Sequence, residues 1–175
     1  GFTEFPSAMA LGASGNTENA KAVAQAIAAE MHAVGLNIDF APVLDVNNNP
    51  YNPVIGLRSF SSDPAVVAEF GLAYMQGLQE NEVLAFGKHF PGHGDTAVDS
   101  HYNLPVVAHD MIRLQAVELL PFQAAIDAGI AGIMSAHVTF PAIDRTPNLA
   151  ASLSAPVLTD LLRRQMGFKG LLITD

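Results

Sequence analysis

The sequence contains no cysteine, and only eight of its 175 residues are lysine or arginine. The absence of cysteine excludes disulfide bonds and cysteine-based metal or redox sites, but it does not fix the cellular compartment. Seventeen acidic residues outnumber the basic ones and give a net charge of −9. Such a chain would not hold a nucleic acid or an anionic membrane surface electrostatically. We therefore expect no nucleic-acid or membrane partner, and a neutral ligand is favoured.

The chain also lacks a hydrophobic run of membrane-spanning length and the basic-then-apolar order of a signal peptide. It starts with Gly1 rather than methionine, so we expect that the first residues of the natural product are missing from it. The compartment stays undetermined, with a cytoplasmic location favoured over a secreted one. Half of the residues are apolar. That is enough for one domain with a substantial core.

Apolar patterns predict helices and strands in strict alternation after a loop over residues 1–14. The helices are predicted at residues 18–34, 63–79, 110–128 (bent at Pro121) and 156–166. The strands are predicted at residues 37–45, 83–87, 130–137 and 171–175. Strands that read as unbroken apolar runs and are joined by helices are typical of a parallel sheet covered on its faces.

Every predicted strand ends on polar residues: Asp45, Lys88 with His89, His137 and Asp175. In a barrel of alternating strands and helices, catalytic groups converge at the carboxyl ends of the strands, whereas an open sheet gathers its ligand at one switch point. We therefore predict an α/β fold that is the central part of a (β/α)8 TIM-type barrel. Four strand–helix units make only about half of such a barrel. We expect the missing barrel segments, or self-association, to cover two exposed sheet edges.

One stretch concentrates the groups that can titrate or bind. Residues 88–101, KHFPGHGDTAVDSH, hold one lysine, three histidines and two aspartates, and they are too rich in glycine and proline to form a helix. The stretch follows a predicted strand directly. It is typical of a functional loop at the end of that strand.

Five segments together resemble glycoside hydrolase family 3. They are KHFPGHGDTAVDSH, the GLQENEVLAFGKHF lead-in (77–90), FAPVLDVNNNPYNPVIGLRSF (40–60), IMSAHVTFPAID (133–144) and GFKGLLITD (167–175). Within the family, the chain is similar to the bacterial β-N-acetylglucosaminidase (β-N-acetylhexosaminidase) branch, which acts on peptidoglycan fragments. The resemblance covers essentially the whole chain. It implies that residues 1–175 are a partial catalytic barrel domain, with earlier and later strands missing.

The resemblance implies retaining hydrolysis of terminal β-N-acetylglucosaminides, such as muropeptides or chitin fragments, and no cofactor or metal. Asp175 aligns with the catalytic nucleophile. His101 aligns with the general acid/base, and Asp99 with the acid that orients it. A histidine can fill both roles near neutral pH because its unperturbed pKa is about 6.5.

The resemblance also implies a set of sugar-binding residues. Arg58, Lys88 and His89 align with side chains that hydrogen-bond the sugar. The natural aglycone, and the choice between water and phosphate as the acceptor, stay open at this point.

Two other functions compete with this interpretation. A metal-dependent hydrolase would use the histidines and aspartates that lie close in sequence: His89, His93, Asp95, Asp99 and His101. Lys88 beside that set would oppose a dication. Alternatively, the chain is an inactive sugar-binding or structural fragment, because half a barrel exposes two sheet edges.

Several polar residues have a plain structural interpretation. Asp45 is expected to be a structural hydrogen-bond acceptor rather than a catalyst. For His137, a satisfied core histidine is favoured over a ligand contact. His93 and Asp95 are expected to shape the loop through backbone hydrogen bonds, and His109 to be a solvated residue beside a helix.

Overall fold

The computed structural model describes residues 1–97 and 104–175. One or two helices precede each strand in these parts of the chain. The helices are α1 (Ala8–Ala13), α2 (Thr17–Ala33), α3 (Pro64–Gln79), α4 (Met111–Ala116), α5 (Leu120–Asp127) and α6 (Pro156–Gln165), the last with π-helical hydrogen bonds. The strands are β1 (Ile38–Asp39), β2 (Leu84–Phe90), β3 (Gly132–Ser135) and β4 (Leu171–Thr174).

The strands form one parallel sheet in the order β1-β2-β3-β4. Ile38 lies opposite Leu84 in the first pair, and Phe86 lies opposite Gly132 in the second. Neighbouring strands in space are therefore neighbouring strands in sequence, with a helix in each connection. The predicted α/β fold of four strand–helix units from a TIM-type barrel is confirmed.

All four strands differ from their predicted bounds, β3 and β4 by no more than two residues at either end and β1 and β2 by more. β2 continues three residues past the predicted end at Gly87, so Lys88, His89 and Phe90 belong to the strand and the loop begins at Pro91. β1 is regular over only two residues, because Pro42 has no N–H to donate. Pairing resumes beyond it, where the Leu44 N–H donates to the Lys88 carbonyl (2.7 Å).

Two helical regions also differ from prediction. Residues 1–14 contain the short helix α1, capped by Ser7, where only a loop was predicted. The predicted bent helix at 110–128 is two helices, separated by Val117–Leu119. Proline cannot donate a backbone hydrogen bond, and its ring crowds the carbonyl four residues earlier, so Pro121 fits the first turn of α5 rather than a helix interior.

The core lies between the sheet and the helices. Its largest side chains include Phe90 and Phe122, whose rings meet edge-to-face with centroids 5.3 Å apart. Other apolar side chains remain exposed, among them Phe40, Leu84 and Leu171. Within the described residues, no helix has both the length and the apolar character needed to cross a membrane.

Candidate active site

Asp45 is the buried centre of the rim formed by the carboxyl ends of β1 and β2. Its side chain has no solvent exposure. One carboxylate oxygen accepts the His93 backbone N–H (2.6 Å), the other lies 2.6 Å from Nδ1 of His89, and both accept the His89 N–H (3.2 Å). Asp45 is therefore a structural acceptor, as predicted. It fixes the end of β2 and the loop that follows.

The environment of Asp45 favours its charged form. Burial alone would raise the pKa of this carboxyl group, but the charge and hydrogen bond of the His89 ring and the His93 N–H outweigh it, so the pKa lies below the ordinary value. The rings of His89 and His93 pack edge-to-face with centroids 5.9 Å apart. Burial lowers the pKa of His93, although the Asp45 charge opposes this.

The asparagine-rich loop after β1 braces the loop after β2. The Asn52 amide donates to the carbonyls of His93 (2.8 Å) and Gly94 (2.9 Å), and its oxygen accepts the backbone N–H groups of Val54 and Ile55. A Cβ atom added to Gly94 would lie 1.9 Å from the Val46 carbonyl oxygen. Glycine is thus the residue that lets the two loops approach this closely.

Lys88 lies at the centre of the charged groups of the rim. Its side chain is half-buried. Burial lowers the pKa of Lys88 from its ordinary 10.5, the charge of Arg58 lowers it further, and the carboxylates of Asp39, Asp175 and Asp45 oppose both effects. Electrostatic coupling of this kind requires proximity. Three of the predicted site residues, Arg58, Lys88 and Asp175, therefore share one neighbourhood.

Asp175 follows β4 directly and is exposed to solvent. Its backbone N–H donates to the carbonyl of Ser135 at the end of β3 (3.1 Å), which continues the parallel pairing to the rim. The Asp175 charge also acts on His93 and raises its pKa, against the larger effect of burial. Asp175 therefore lies at the same rim as the buried group of Asp45, His89 and His93.

Of the remaining predicted site residues, the structure describes two and does not describe the other two. Arg58 is exposed and donates through Nη1 to the Val54 carbonyl (3.3 Å). His89 is 3% exposed, with Nδ1 engaged by Asp45. Asp99 and His101 lie outside the described residues, so their roles stay predictions.

Two histidine interpretations are wrong. His137 is exposed at the rim beyond β3, where its Nδ1 lies 3.0 Å from the Ser152 hydroxyl, so it is not a core histidine. His109 is not simply solvated, because its Nε2 is bonded to the carboxylate of Asp95. Asp95 therefore fixes its loop through a side chain, whereas His93 does so through its backbone N–H, as predicted.

The described residues contain one group of three side chains with the spacing of a metal site, namely Asp95, His109 and Glu118. Their potential ligand atoms lie within 4.8 Å of one another. The guanidinium of Arg113 lies in the same group, 3.2 Å from Glu118 and 3.8 Å from Asp95. It supplies a positive charge where a metal ion would have to sit. This set shares only Asp95 with the predicted metal set.

Comparison with known proteins decides the family. The model of the family described as "Glycosyl hydrolase family 3 N terminal domain" matches residues 1–175. The chain belongs to glycoside hydrolase family 3. Beta-hexosaminidase A of Pseudoalteromonas piscicida is 42% identical over 99% of this chain and 31% of its own length.

Solved structures of this family are also similar to the chain. A family 3 β-N-acetylglucosaminidase from Paenibacillus sp. FPU-7 has a TM-score of 0.98 and 48% identity, over 100% of this chain and 33% of its own. NagZ from Neisseria gonorrhoeae, solved with N-trifluoroacetyl-D-glucosamine and with zinc ion, has 38% identity over 100% of this chain and 52% of its own, with TM-scores of 0.89 and 0.90. The chain thus spans between about a fifth and about half of the length of these and other relatives.

Sequence reasoning missed three polar residues at this rim. They are Asn52, Arg113 and Glu118. The run of asparagines at 47–49 followed by Asn52 signals a loop rich in side-chain hydrogen bonds. A lone acid within the apolar stretch VELLPF (117–122) signals a buried carboxylate that needs a partner.

Proposed function

We propose that the protein to which this chain belongs hydrolyses terminal β-N-acetylglucosaminides and retains the configuration of the anomeric carbon. The observation that carries the proposal is the position of Asp175. Asp175 follows β4 directly, and its charge acts on Lys88 and His93 of the neighbouring rim. A carboxylate beside a cationic, hydrogen-bonding rim suits attack on a sugar.

In the proposed reaction, the Asp175 carboxylate attacks the anomeric carbon while His101 gives a proton to the departing oxygen. This breaks the glycosidic bond and forms a covalent glycosyl-enzyme. His101 then takes a proton from water, whose oxygen attacks the same carbon and frees Asp175. Asp99 would orient His101, as the acid does in hydrolytic triads.

Arg58 and Lys88 are proposed to hold the sugar hydroxyl groups. Both side chains are basic, and Lys88 interacts electrostatically with both Arg58 and Asp175. His89 is proposed as a third sugar contact through its Nε2, because Nδ1 is engaged by Asp45. The binding of N-trifluoroacetyl-D-glucosamine by the gonococcal relative supports an N-acetylglucosamine-type sugar here.

The domain organisation is part of this proposal. We infer that residues 1–175 are the middle of a catalytic barrel whose earlier and later strands lie elsewhere in the protein. The exposed apolar side chains of Phe40, Leu84 and Leu171 support it, because the remaining strands would cover them. The natural substrate is proposed to be a peptidoglycan-derived muropeptide or a chitin fragment.

NMR of the first sugar released from an aryl β-N-acetylglucosaminide by the full-length protein tests the reaction. The proposal predicts the β-anomer, which then mutarotates. The α-anomer would remove Asp175 from the role of nucleophile. A sugar 1-phosphate formed in phosphate buffer would instead identify a phosphorylase.

A second experiment tests His101. His101→Ala is expected to slow substrates with poor leaving groups far more than activated aryl glycosides, because only the former need protonation. Comparison of kcat/KM on the two substrates measures this. Equal losses would mean that His101 only binds.

A metal-dependent hydrolase is the second candidate, since the gonococcal relative is known with zinc and three ligand-type side chains lie together here. The Arg113 guanidinium weighs against it. Metal analysis of the full-length protein, with activity measured after chelation, separates the two. About one tightly bound zinc per chain, together with loss of activity, would favour the metal reaction.

A further inference from the structure

Four side chains form a polar network beneath the loop that follows β2. Asp95 belongs to that loop, whereas His109 and Arg113 lie before and within α4, and Glu118 lies between α4 and α5. Nε2 of His109 is bonded to the Asp95 carboxylate. Arg113 donates to Glu118 (3.2 Å) and lies 3.8 Å from Asp95. We call these four residues the anchor network.

The anchor network is buried at Glu118. Glu118 is 3% exposed and also accepts a hydrogen bond from the Asn48 amide (3.4 Å). A Cβ atom added to Gly92 would lie 2.9 Å from Cβ of Glu118, so the loop backbone lies directly on this residue. Arg113 then links the buried Glu118 to the partly exposed pair of Asp95 and His109. The network is held from below by α4 and α5.

The Asp95–His109 bond joins two chain positions that flank residues 98–103. Asp95 comes three positions before this segment, and His109 comes six positions after it. The segment contains Asp99 and His101, the proposed proton-transfer pair. A side-chain bond across the ends of a loop lowers the number of conformations open to the chain between them.

We propose that His109 and Asp95 are positioning residues for the proton-transfer step, and this inference rests on the proposed function. General acid catalysis requires the acid within hydrogen-bond reach of the departing oxygen. A small displacement of a catalytic group costs a large factor in rate. The Asp95–His109 bond joins the chain on both sides of residues 98–103, and we assign it the role of holding those two positions for the proton-transfer step. Neither His109 nor Asp95 needs to touch the substrate.

The charges of the network favour this role over metal binding. Arg113 already compensates Glu118 and Asp95 at 3.2 and 3.8 Å. A dication would have to enter beside the guanidinium and displace the bond between His109 and Asp95. Within the described residues, Arg113 Nε and Glu118 Oε2 have no hydrogen-bond partner, but the charges of the four side chains pair with one another. Paired charges of this kind are suited to holding a backbone in place.

The test compares His109→Ala with His109→Gln in the full-length protein. Glutamine can place an N–H donor near the position of Nε2, so it can keep the bond to Asp95. His32→Ala is the matched control, because His32 is an exposed histidine whose ring bonds a carbonyl, that of Asn81 (2.7 Å), away from the rim. Each variant is assayed on an alkyl and on an activated aryl β-N-acetylglucosaminide.

Loss of a charge-assisted hydrogen bond corresponds to a change of about tenfold. We expect His109→Ala to lower kcat/KM about tenfold on the alkyl glycoside and about twofold on the aryl glycoside, with recovery in His109→Gln. His32→Ala should match wild type on both. Equal losses on the two substrates, or a His109→Gln variant as impaired as His109→Ala, would overturn the inference. If His109→Ala does not fold, Asp95→Asn takes its place with the same expected preference for the aryl substrate.

Hydrogen exchange separates failure of this inference from failure of the proposed function. Wild-type protein that cleaves neither glycoside would contradict the proposed function. The backbone amides of residues 96–105 are then compared in the same variants. Faster exchange in His109→Ala that returns to the wild-type rate in His109→Gln supports the anchor, and unchanged exchange overturns it.

Discussion

The two ends of the sheet are built in different ways. At the amino ends of the strands, each helix turns into the next strand through one residue in the left-handed region: Gly35 (φ 78°), Glu82 (φ 58°), Gly129 (φ 82°) and Gly167 (φ 76°). These turns depend on local chemistry, because glycine adopts positive φ without steric cost. They shape the fold.

At the carboxyl ends, the contacts are long-range and polar. Asp45 is bonded to residues 44 and 48 positions away, and Asn52 to residues 41 and 42 positions away. Burying a polar group is unfavourable unless the group is hydrogen-bonded. The hydrogen bonds of Asp45 and Asn52 satisfy these buried groups and also hold the two loops in place. Long-range bonds also occur at the amino ends, where the Gln79 side chain bonds Gly129 and Ala131. The comparison indicates that the turns at one end depend on local backbone conformation, whereas placement of functional groups at the other depends on the whole fold.

The largest expected effect is on activity at the rim. Asp175→Ala should lower kcat of the full-length protein roughly 10⁴-fold, because the proposed nucleophile would be lost. Asp127→Ala is the control at the opposite end, where an exposed aspartate accepts a hydrogen bond from Gln123 (2.8 Å). It should retain wild-type activity. A comparable loss in both variants would contradict the division between the ends.

Asp45→Ala should show that contacts at the rim also contribute to the free energy of unfolding. It removes the acceptor of two backbone N–H groups and one imidazole in a site without solvent exposure, so we expect the free energy of unfolding to fall by about 3–5 kcal/mol. Asp63→Ala removes a partly solvated helix cap that accepts from Ala65, and should cost only about 1 kcal/mol. Denaturant titrations measure both. Equal losses would mean that the Asp45 contacts are weak.

The pH dependence of stability should follow from the same residue. Because the pKa of Asp45 is lower in the folded chain than in the unfolded one, its contribution is fully present above the unfolded value of about 3.9 and is lost as the pH falls through the folded value. The difference in unfolding free energy between wild type and Asp45→Asn should therefore shrink below about pH 4. A difference that stays constant down to acid unfolding would contradict this assignment.

A glycine-to-alanine substitution should lower stability more at the carboxyl ends of the strands than at the amino ends. Gly94→Ala places a Cβ atom 1.9 Å from the Val46 carbonyl and should cost about 3 kcal/mol and reduce activity. Gly129→Ala meets no atom within 4 Å and suffers only from its φ of +82°, so it should cost about 1 kcal/mol and leave activity unchanged. Unfolding curves and kcat/KM of the two variants test this. Reduced activity in Gly129→Ala would contradict it.

Much of the fold follows from the sequence because its signals are local. Apolar runs and glycine stops located all four strands, and Asp63 followed by proline located the start of α3. The extension of β2 through Lys88–Phe90 could not be read from the sequence, since charged residues in a strand look like a loop until a parallel neighbour pairs with them. The break between α4 and α5 likewise depends on how Pro121 fits a first turn.

The site was only partly predictable for the same reason. Polar residues at strand ends indicated the rim, and Asp175 was located by family resemblance rather than by any pattern of its own. The partners of Asp45 and the bond between Asp95 and His109 join residues that are 14 to 48 positions apart. No local pattern encodes such pairs, because the sheet and the helix order bring them together.

The most direct test of the central claim is to trap the intermediate at the rim. Full-length protein is incubated with an N-acetylglucosaminyl fluoride whose ring fluorine slows hydrolysis of the glycosyl-enzyme, and its peptides are then analysed by mass spectrometry. We predict one covalently bound sugar on the peptide that contains Asp175, and none in Asp175→Ala. A sugar attached to another residue, or no adduct while the compound is turned over, would contradict the account.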